Sequence, residues 1–382
     1  MKRRLVILTE IISPYRIPVF NALAKREDID LHVIFLAEAD PSVREWRVYK
    51  EEIQFSYQVL PSFRRRLRGY NILLNWNVKR ALQQADPEVV LCGGYSYIAS
   101  WQAAWWTRRS QVPFLLWVES NAQDQRRRYG LTEYLKRQFL SRCDGFVVPG
   151  RSSADYLKTF CIPEEVIFTA PNAVDNQFFS CKSAMVRKEE ARVLHKLPGK
   201  FFLYVGRLIP EKGVFDLLQA YATLAPKVRA EFGLVFVGSG VAEATLREKA
   251  RGIEPGCTRF AGFIHREGLP DFYALADIMV FPTHTDPWGL VVNEAMACGL
   301  PVISTSVAGC CADLVTDGWN GRVVPSHDVA QLAGAMQALA GNAELRLEMG
   351  EHSKQRIRAY SPEACADGLA QATFLAGDSH RA

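Results

Sequence analysis

Two carboxylates stand in an otherwise apolar stretch, FPTHTDPWGLVVNEAMACGLPVISTSV, at residues 281–307. Asp286 lies in a polar turn between two prolines, and Glu294 lies inside the helix-like segment that follows. A carboxylate is costly to bury among apolar side chains without a partner, so Glu294 should face a ligand, a cation or water. Its oxygens could accept hydrogen bonds from vicinal hydroxyls such as those of a ribose. The structural alternative makes Asp286 a helix N-cap and Glu294 the buried partner of an arginine.

Two cations follow an apolar run at residues 201–205, within the sequence GRLIPEKG. Arg207 and Lys212 would lie where a strand leads into the N-terminus of a helix, which is a geometry that favours anions. Arginine can hold two phosphate oxygens at once, and lysine acts as a point charge. Exposed amides at Gly289 and Leu290 could meet a second anionic group. The alternative is a solvated loop whose charges bind nothing.

The strands and helices that must position these residues can be read from the apolar pattern. Continuous apolar runs alternate with helical segments, which indicates an α/β fold with doubly wound parallel sheets. In the first half we predict strands at residues 5–8, 31–36, 89–92, 114–118 and 145–148. We predict helices there at residues 17–25 and 152–160, and another that ends at residue 82 after the basic segment FRRRLR at 63–68.

The pattern weakens at residues 176–199, where we predict a linker, and then restarts. Predicted strands follow at residues 201–205, 234–237, 260, 278–281 and 302–303, and predicted helices at 214–223, 242–250, 269–276, 290–298 and 329–340. We therefore predict two Rossmann-like domains, at residues 1–180 and 181–360, and a C-terminal helix at 361–382 that could pack back on the first domain. Ligands should bind at the carboxyl ends of the strands.

The composition is that of an ordinary globular protein, with 48% hydrophobic and 23% charged residues in a chain of 382. Residues 1–175 carry 25 basic against 19 acidic residues, and the remainder carries 21 against 22, so the first half should meet any anionic surface. The basic residues form short runs without interleaved aromatics, so we expect no nucleic-acid partner. Nine cysteines without paired spacing favour a reducing cytosol over disulfides or structural zinc. We expect no transmembrane segment.

Three segments of the second half resemble the retaining GT-B glycosyltransferases of family 4: GRLIPEKGV, DPWGLVVNEAMACGLPVISTSVAG and DLVTDGWNGRVVP. The resemblance is specific across residues 200–325, and SPYRIPVFNALA and PNAVDNQFF are similar to segments of one bacterial branch. It implies a GT-B fold, in which two Rossmann-like domains face an interdomain cleft. It also implies that a nucleotide sugar is the donor.

The resemblance further implies roles for single residues. In the family, the residues that match Arg207 and Lys212 hold the nucleotide diphosphate, and the one that matches Glu294 holds the ribose. The first glutamate of the family's E-x7-E pattern contacts the donor sugar, and here that position is Asp286, which is one methylene shorter. The remaining positions implied for nucleotide binding are Gly206, Phe263, Gly289, Leu290 and Val291.

The chemistry that the resemblance implies needs no metal ion. Sugar transfer passes through an oxocarbenium-like state while a diphosphate departs, and fixed cations and helix N-termini can stabilise the developing charge. The one D-x-D sequence, at residues 28–30, precedes a predicted strand, so we expect no metal bridge there. No carboxylate stands out as a covalent nucleophile, and the resemblance implies a front-face route to retention. We expect neither a metal nor a resident cofactor.

The acceptor side should lie in the first domain. Tyr15 and Arg16 follow the first predicted strand, and Glu119 and Asn121 follow a later one, so these four are the candidate acceptor contacts. A surface loop is the alternative for Arg16. Residues 93–100 contain no histidine that could touch a donor sugar, and we interpret His265 as a loop histidine.

Three segments suggest an anionic membrane surface as a further partner of the first domain. They are the arginines of residues 64–68, the tryptophans Trp101, Trp105 and Trp106 beside Arg108 and Arg109, and the arginines of residues 126–128. The tryptophans lie at helical spacing and could instead pack in a core. We expect a cytoplasmic protein that can bind peripherally to the inner face of the plasma membrane.

The leading hypothesis is a retaining, metal-independent glycosyltransferase that moves a sugar from a nucleotide sugar to a glycan or lipid-linked acceptor. The implied setting is the synthesis of cell-surface polysaccharide or lipopolysaccharide. One alternative is a sugar-nucleotide isomerase or hydrolase of the same fold, which would need a catalytic group over the sugar. The other is a non-enzymatic nucleotide-sugar-binding module, and the missing G-x-G-x-x-G after the first strand disfavours a dinucleotide version of it.

Overall fold

The structure, a computed structural model, describes residues 2–40, 47–67, 70–122, 130–253 and 256–379. The chain forms two compact units. The first consists of Met1–Val174 with Pro362–Ala382, and the second of Asp175–Ser361. Each unit is built around its own parallel sheet, with helices alongside.

The first unit contains a seven-stranded parallel sheet and a separate hairpin. Its strands are β1 (Arg3–Thr9), β2 (Ile29–Phe35), β3 (Ser56–Val59), β4 (Ser62–Leu67), β5 (Tyr70–Asn75), β6 (Val89–Cys92), β7 (Phe114–Trp117), β8 (Gly145–Val148) and β9 (Ile167–Thr169). The sheet order is β3-β2-β1-β6-β7-β8-β9. The helices between these strands are α1 (Ile17–Ala24), α2 (Val78–Ala85), α3 (Ile98–Ser110), α4 (Gly130–Leu140) and α5 (Arg151–Lys158).

The central strand β1 explains why the predicted strands are continuous apolar runs. Leu5 and Ile7 belong to the hydrophobic cluster on one face of the sheet, and Val6 and Leu8 belong to the cluster on the other. A parallel sheet covered by helices on both faces has no solvent-facing side, so its strands do not alternate between apolar and polar residues.

The prediction was wrong at residues 70–77. The sequence indicated a helix after the basic segment, but β4 and β5 form an antiparallel hairpin in which Ser62 pairs with Asn75. The helix begins only at Val78, after Asn77 adopts a left-handed conformation with φ +68°. Leu73 is buried while its neighbour Ile72 is exposed, because successive side chains of a strand point to opposite faces.

The second unit contains a six-stranded parallel sheet in the order β12-β11-β10-β13-β14-β15. Its strands are β10 (Lys200–Val205), β11 (Phe232–Val237), β12 (Thr258–Phe260), β13 (Ile278–Phe281), β14 (Val302–Thr305) and β15 (Gly321–Val324). Its helices are α6 (Asn176–Ala184), α7 (Lys188–His195), α8 (Val214–Thr223), α9 (Pro226–Glu231), α10 (Glu243–Ala250), α11 (Leu269–Leu275), α12 (Leu290–Ala297), α13 (Cys311–Leu314), α14 (Val329–Ala340) and α15 (Ala343–Ile357).

The predicted linker at residues 176–199 is not a linker, because α6 and α7 occupy most of it. The Asp175 side chain caps α6 by accepting a hydrogen bond from the Phe178 amide at 2.8 Å. Phe179 is buried and packs edge-on against Tyr273 of α11, with 6.0 Å between ring centroids. Few apolar residues anchor these helices, so their periodicity in the sequence is weak. The units divide before α6, whereas the predicted boundary after residue 180 falls inside it.

The last helix, α16 (Pro362–Ser379), lies on the first unit. Cys365 and Leu369 belong to the hydrophobic cluster that covers one face of the sheet. Gly368 packs on the backbone of β9, where a Cβ would lie 2.2 Å from the Thr169 carbonyl oxygen. The Arg3 guanidinium donates to the Phe374 carbonyl oxygen at 2.7 Å. None of the helices among the described residues has both the length and the apolar character needed to cross a membrane.

Candidate functional site

The candidate residues of the second unit follow the neighbouring strands β10 and β13, at the carboxyl edge of the sheet. The loop after β10 starts at Gly206 and ends at Gly213, just before α8. Gly213 has φ +66°, and a Cβ there would lie 1.9 Å from the carbonyl oxygen of Pro282. Glycine is therefore required for the loop after β10 to pack against the loop after β13.

This packing joins Lys212 to Asp286. The Lys212 Nζ lies 2.5 Å from Asp286 Oδ2 and donates to the Thr285 carbonyl oxygen at 3.0 Å. The two side chains are only 14% and 18% exposed. The His284 amide donates to the Glu211 carbonyl oxygen at 3.0 Å, which links the two loops a second time. The family resemblance implied that Lys212 contacts the diphosphate and Asp286 the donor sugar, and the structure places the two side chains in direct contact.

Asp286 does not act as the N-cap of α12. Its Oδ1 accepts a hydrogen bond from the Trp288 amide at 3.1 Å, and its carbonyl oxygen accepts one from the Gly309 amide at 3.0 Å. The first bond stabilises the turn that carries the Asp286 carboxylate. The second bond connects this turn to the loop after β14. The structural alternative for Asp286 was therefore wrong.

The helix α12 begins at the next turn, beside this carboxylate. Its N-cap residue is Gly289, with φ +102°, and a Cβ there would lie 2.6 Å from the Phe281 ring. Leu290 and Val291 form its first turn and are half-buried. Because amides of the first turn have no intrahelical acceptor, this helix end is suited to an anion.

Glu294 lies deeper in the same helix and is fully buried. Its Oε2 accepts a hydrogen bond from the Tyr273 hydroxyl at 2.6 Å. One carboxylate oxygen is thus bonded to a tyrosine of α11, and the contact of Glu294 with the ribose of a ligand stays a prediction. The hydrogen bond from the Tyr273 hydroxyl offsets part of the free-energy cost of burying the Glu294 carboxylate. A partner on another helix leaves no local signal in the sequence around Glu294.

Arg207 is exposed at the start of the loop after β10. Its carbonyl oxygen accepts a hydrogen bond from the Tyr204 hydroxyl at 2.8 Å. Burial raises the pKa of the Tyr204 hydroxyl, so the group stays protonated and remains a donor. The backbone of Arg207 is therefore fixed from the core, while its side chain is left at the surface.

A third loop, after β11, contacts both Gly206 and the segment before Phe263, and it was not predicted from the sequence. Gly238 has φ +133°, a Cβ there would lie 2.0 Å from the Gly206 carbonyl oxygen, and its amide donates to the Gly262 carbonyl oxygen at 2.7 Å. Phe263 itself is exposed and packs edge-on against His265. The sequence Gly-Ser-Gly directly after the buried strand β11 was the signal for this loop.

The candidate acceptor residues lie in the first unit. Arg16, after β1, forms an ion pair with Glu119, after β7, and its guanidinium lies 3.9 Å from the centroid of the Trp117 ring. Asn121 is buried, and Tyr15 is half-buried. The structure thus joins two of the four predicted residues at the carboxyl edge of their sheet.

Two family models match the chain. The one described as Glycosyltransferase Family 4 matches residues 19–178, and the one described as Glycosyl transferases group 1 matches residues 186–356. An alpha-D-kanosaminyltransferase of Streptomyces kanamyceticus is 31% identical over 213 residues, which cover 55% of this chain and 54% of that protein. A D-inositol 3-phosphate glycosyltransferase 2 of Catenulispora acidiphila is 34% identical over 177 residues, or 44% and 41% of the two chains. The chain spans about half the length of the curated relatives it matches.

Among solved structures, Anabaena HepE in complex with UDP matches with a TM-score of 0.76 over 97% of this chain and 99% of that chain, at 16% identity. At that identity the likeness concerns the fold, and it confirms the predicted GT-B class of two Rossmann-like parallel-sheet domains. The chain thus carries a domain of Glycosyltransferase Family 4 in its first half and a domain of Glycosyl transferases group 1 in its second half.

Proposed function

We propose that the chain transfers a sugar from a nucleotide sugar to a glycan or lipid-linked acceptor, with retention and without a metal ion in the reaction. The proposed setting is the synthesis of cell-surface polysaccharide or lipopolysaccharide. The observation that carries this proposal is the contact between Lys212 and Asp286, beside the free N-terminus of α12.

The geometry of Lys212 supports a role at the diphosphate. An ammonium group has three donors, and here one is directed at Asp286 and another at the Thr285 carbonyl oxygen. The third can reach a phosphate oxygen without loss of the other two. The Arg207 guanidinium can donate two parallel N–H hydrogen bonds to phosphate oxygens. The negative charge on the leaving diphosphate would then be stabilised by fixed groups of the protein.

The environment of the two acidic residues supports retention without a covalent intermediate. Asp286 is ion-paired, and Glu294 is buried against the Tyr273 hydroxyl, so neither is arranged as an exposed nucleophile. In a front-face reaction the bond from the sugar to the leaving diphosphate breaks as the acceptor oxygen attacks from the same side. The acceptor proton then passes to the departing phosphate oxygen. Product stereochemistry measured by NMR of the anomeric proton tests this proposal, since an inverted product would exclude it.

The donor and the acceptor can be found with two panels. The neighbour HepE was crystallised with UDP, so UDP-sugars are the first donors to test, followed by GDP- and ADP-sugars. One relative is named as a D-inositol 3-phosphate glycosyltransferase, so the acceptor panel should include D-inositol 3-phosphate as well as glycans and lipid-linked sugars. The base that binds should raise the unfolding temperature, because a ligand that binds only the folded state stabilises it.

We also propose a cytoplasmic location and peripheral contact with an anionic membrane through the first unit. Trp105 is 53% exposed, and the Arg109 guanidinium lies 3.7 Å from its ring centroid, which suits an interface between apolar and charged groups. The other two tryptophans give less support to a membrane contact, because Trp106 is buried and Trp101 packs on Phe139.

The predicted basic segments contribute unequally to this surface. Arg64 forms ion pairs with Asp40 and Glu10, so its charge is already compensated. Arg65 is exposed. Arg68 and the arginines of residues 126–128 lie outside the described residues. Vesicle sedimentation tests the contact: Trp105→Ala should weaken binding to anionic vesicles, and equal binding of the unchanged protein to neutral and anionic vesicles would contradict it.

Replacement of Lys212 tests the transferase proposal. Lys212→Ala should lower kcat by about 100-fold or more, since removal of one preorganised donor to a developing charge costs about that much. Lys200→Ala is the matched control, because Lys200 pairs with Glu231 at the surface, at the opposite end of β10. A Lys212→Ala protein that is folded and fully active would refute the assignment. Sugar release or rearrangement without any acceptor product would instead favour the hydrolase or isomerase, and nucleotide-sugar binding without turnover would favour the binding module.

A further inference from the structure

We infer that Asp216, His284 and His327 form a binding site for one divalent transition-metal ion in the second unit. The three residues follow three different strands. Asp216 lies in the first turn of α8, after β10, His284 lies in the loop after β13, and His327 lies between β15 and α14. Their ligand atoms all lie within 4.8 Å of one another.

The distances suit a small ion. The Nε2 atom of His284 lies 2.8 Å from Asp216 Oδ2, and the Nδ1 atom of His327 lies 3.9 Å from the same oxygen. The two imidazole rings stack with centroids 3.6 Å apart and a tilt of 34°. In a tetrahedral zinc site with bonds of about 2.0–2.2 Å, ligand atoms are roughly 3.4 Å apart. The observed separations lie on either side of this value, so small rotations of the side chains would form the site.

The ligand set determines the class of ion. Two imidazoles and one carboxylate suit Zn²⁺ or Co²⁺, whereas Mg²⁺ and Ca²⁺ prefer oxygen ligands. His327 is 69% exposed, so its ring can turn and water can occupy a fourth position. His327 also has φ +63°, a conformation that residues other than glycine adopt infrequently. On binding, the ion replaces the hydrogen bond between His284 and Asp216, and the ring proton of His284 resides on Nδ1.

The ion would connect the two loops that carry the proposed transfer residues. Asp216 is close along the chain to Lys212, and His284 is close to Asp286, so a bound ion would hold these loops together in addition to the Lys212–Asp286 ion pair. No step of sugar transfer depends on it. The inference goes beyond the proposed function and can be tested on protein without donor or acceptor.

Cobalt titration tests the site because Co²⁺ bound in a tetrahedral site has visible absorption. The full chain, freed of metal by chelation, should bind one Co²⁺ with visible bands, and Zn²⁺ should displace it. At a free Zn²⁺ concentration of 100 times Kd, the unfolding temperature should rise by roughly 5–10 °C. His327→Ala, a change at an exposed side chain, should weaken binding by at least tenfold, and Asp216→Asn should weaken it as well.

The matched control is His195→Ala. His195 Nε2 lies 2.9 Å from Asp271 Oδ2, so it forms the same kind of pair, but the described residues provide no third ligand there. This variant should bind cobalt like the unchanged protein. The inference is overturned if His327→Ala binds as tightly as the unchanged protein, or if no visible bands appear. It is also overturned if an intense near-ultraviolet thiolate band places the ion on cysteine.

Discussion

Replacement of Gly213 by alanine should destabilise the second unit and separate its two site loops. The new Cβ would lie 1.9 Å from the Pro282 carbonyl oxygen and 3.3 Å from His284 Nε2, at φ +66°. A left-handed conformation costs alanine about 1 kcal/mol relative to glycine, and a forced backbone shift costs about 1–3 kcal/mol more. The total of about 2–4 kcal/mol corresponds to a fall in unfolding temperature of roughly 4–16 °C for a unit of this size.

Calorimetric unfolding of Gly213→Ala measures this effect, with Gly334→Ala as the control. Gly334 lies inside α14, and a Cβ there would meet no atom within 4 Å. Its replacement should leave stability unchanged or raise it by about 0.5–1 kcal/mol, because alanine is the better helix former. If Gly213→Ala unfolded at the temperature of the unchanged protein, the close packing of the two loops would be refuted.

Two further predictions concern buried groups. Tyr273→Phe removes the hydroxyl that donates to Glu294, and it should lower the free energy of unfolding by about 1–3 kcal/mol in urea titration; no loss would show that the carboxylate does not depend on this bond. Burial raises the pKa of the Cys311 thiol from 9.0 to about 11. Because the folded-state pKa is the higher one, the buried thiol contributes its full stability below pH 9 and loses it as the pH rises towards 11. Urea titrations at pH 8, 9.5 and 10.5 should therefore show falling stability, with a smaller slope for Cys311→Ser; equal slopes for the two proteins would contradict this reasoning.

The parallel sheets could be predicted from the sequence because their strands are short, fully buried apolar runs. β6, β8 and β13 have the predicted bounds, since each is four buried residues between polar segments. The β4–β5 hairpin was missed because its arms carry arginines and asparagines, so neither arm is a continuous apolar run. The helices α6 and α7 were missed because each is anchored by few buried apolar residues.

The sequence located the candidate site less completely than the strands. Lys212 and Asp286 could be placed at one edge because each follows a strand of the same sheet. Their direct contact could not be predicted, since it depends on the close approach of Gly213 to Pro282. The burial of Glu294 depends likewise on a partner from another helix, and spacing along the chain does not reveal such a partner.

A crystal structure with the nucleoside diphosphate that most raises the unfolding temperature would decide the role of the loops after β10 and β13. We expect Lys212 Nζ and the Arg207 guanidinium to contact phosphate oxygens, with the amides of Leu290 and Val291 facing the same group. A diphosphate bound elsewhere, with both cations directed away from it, would contradict the proposed function.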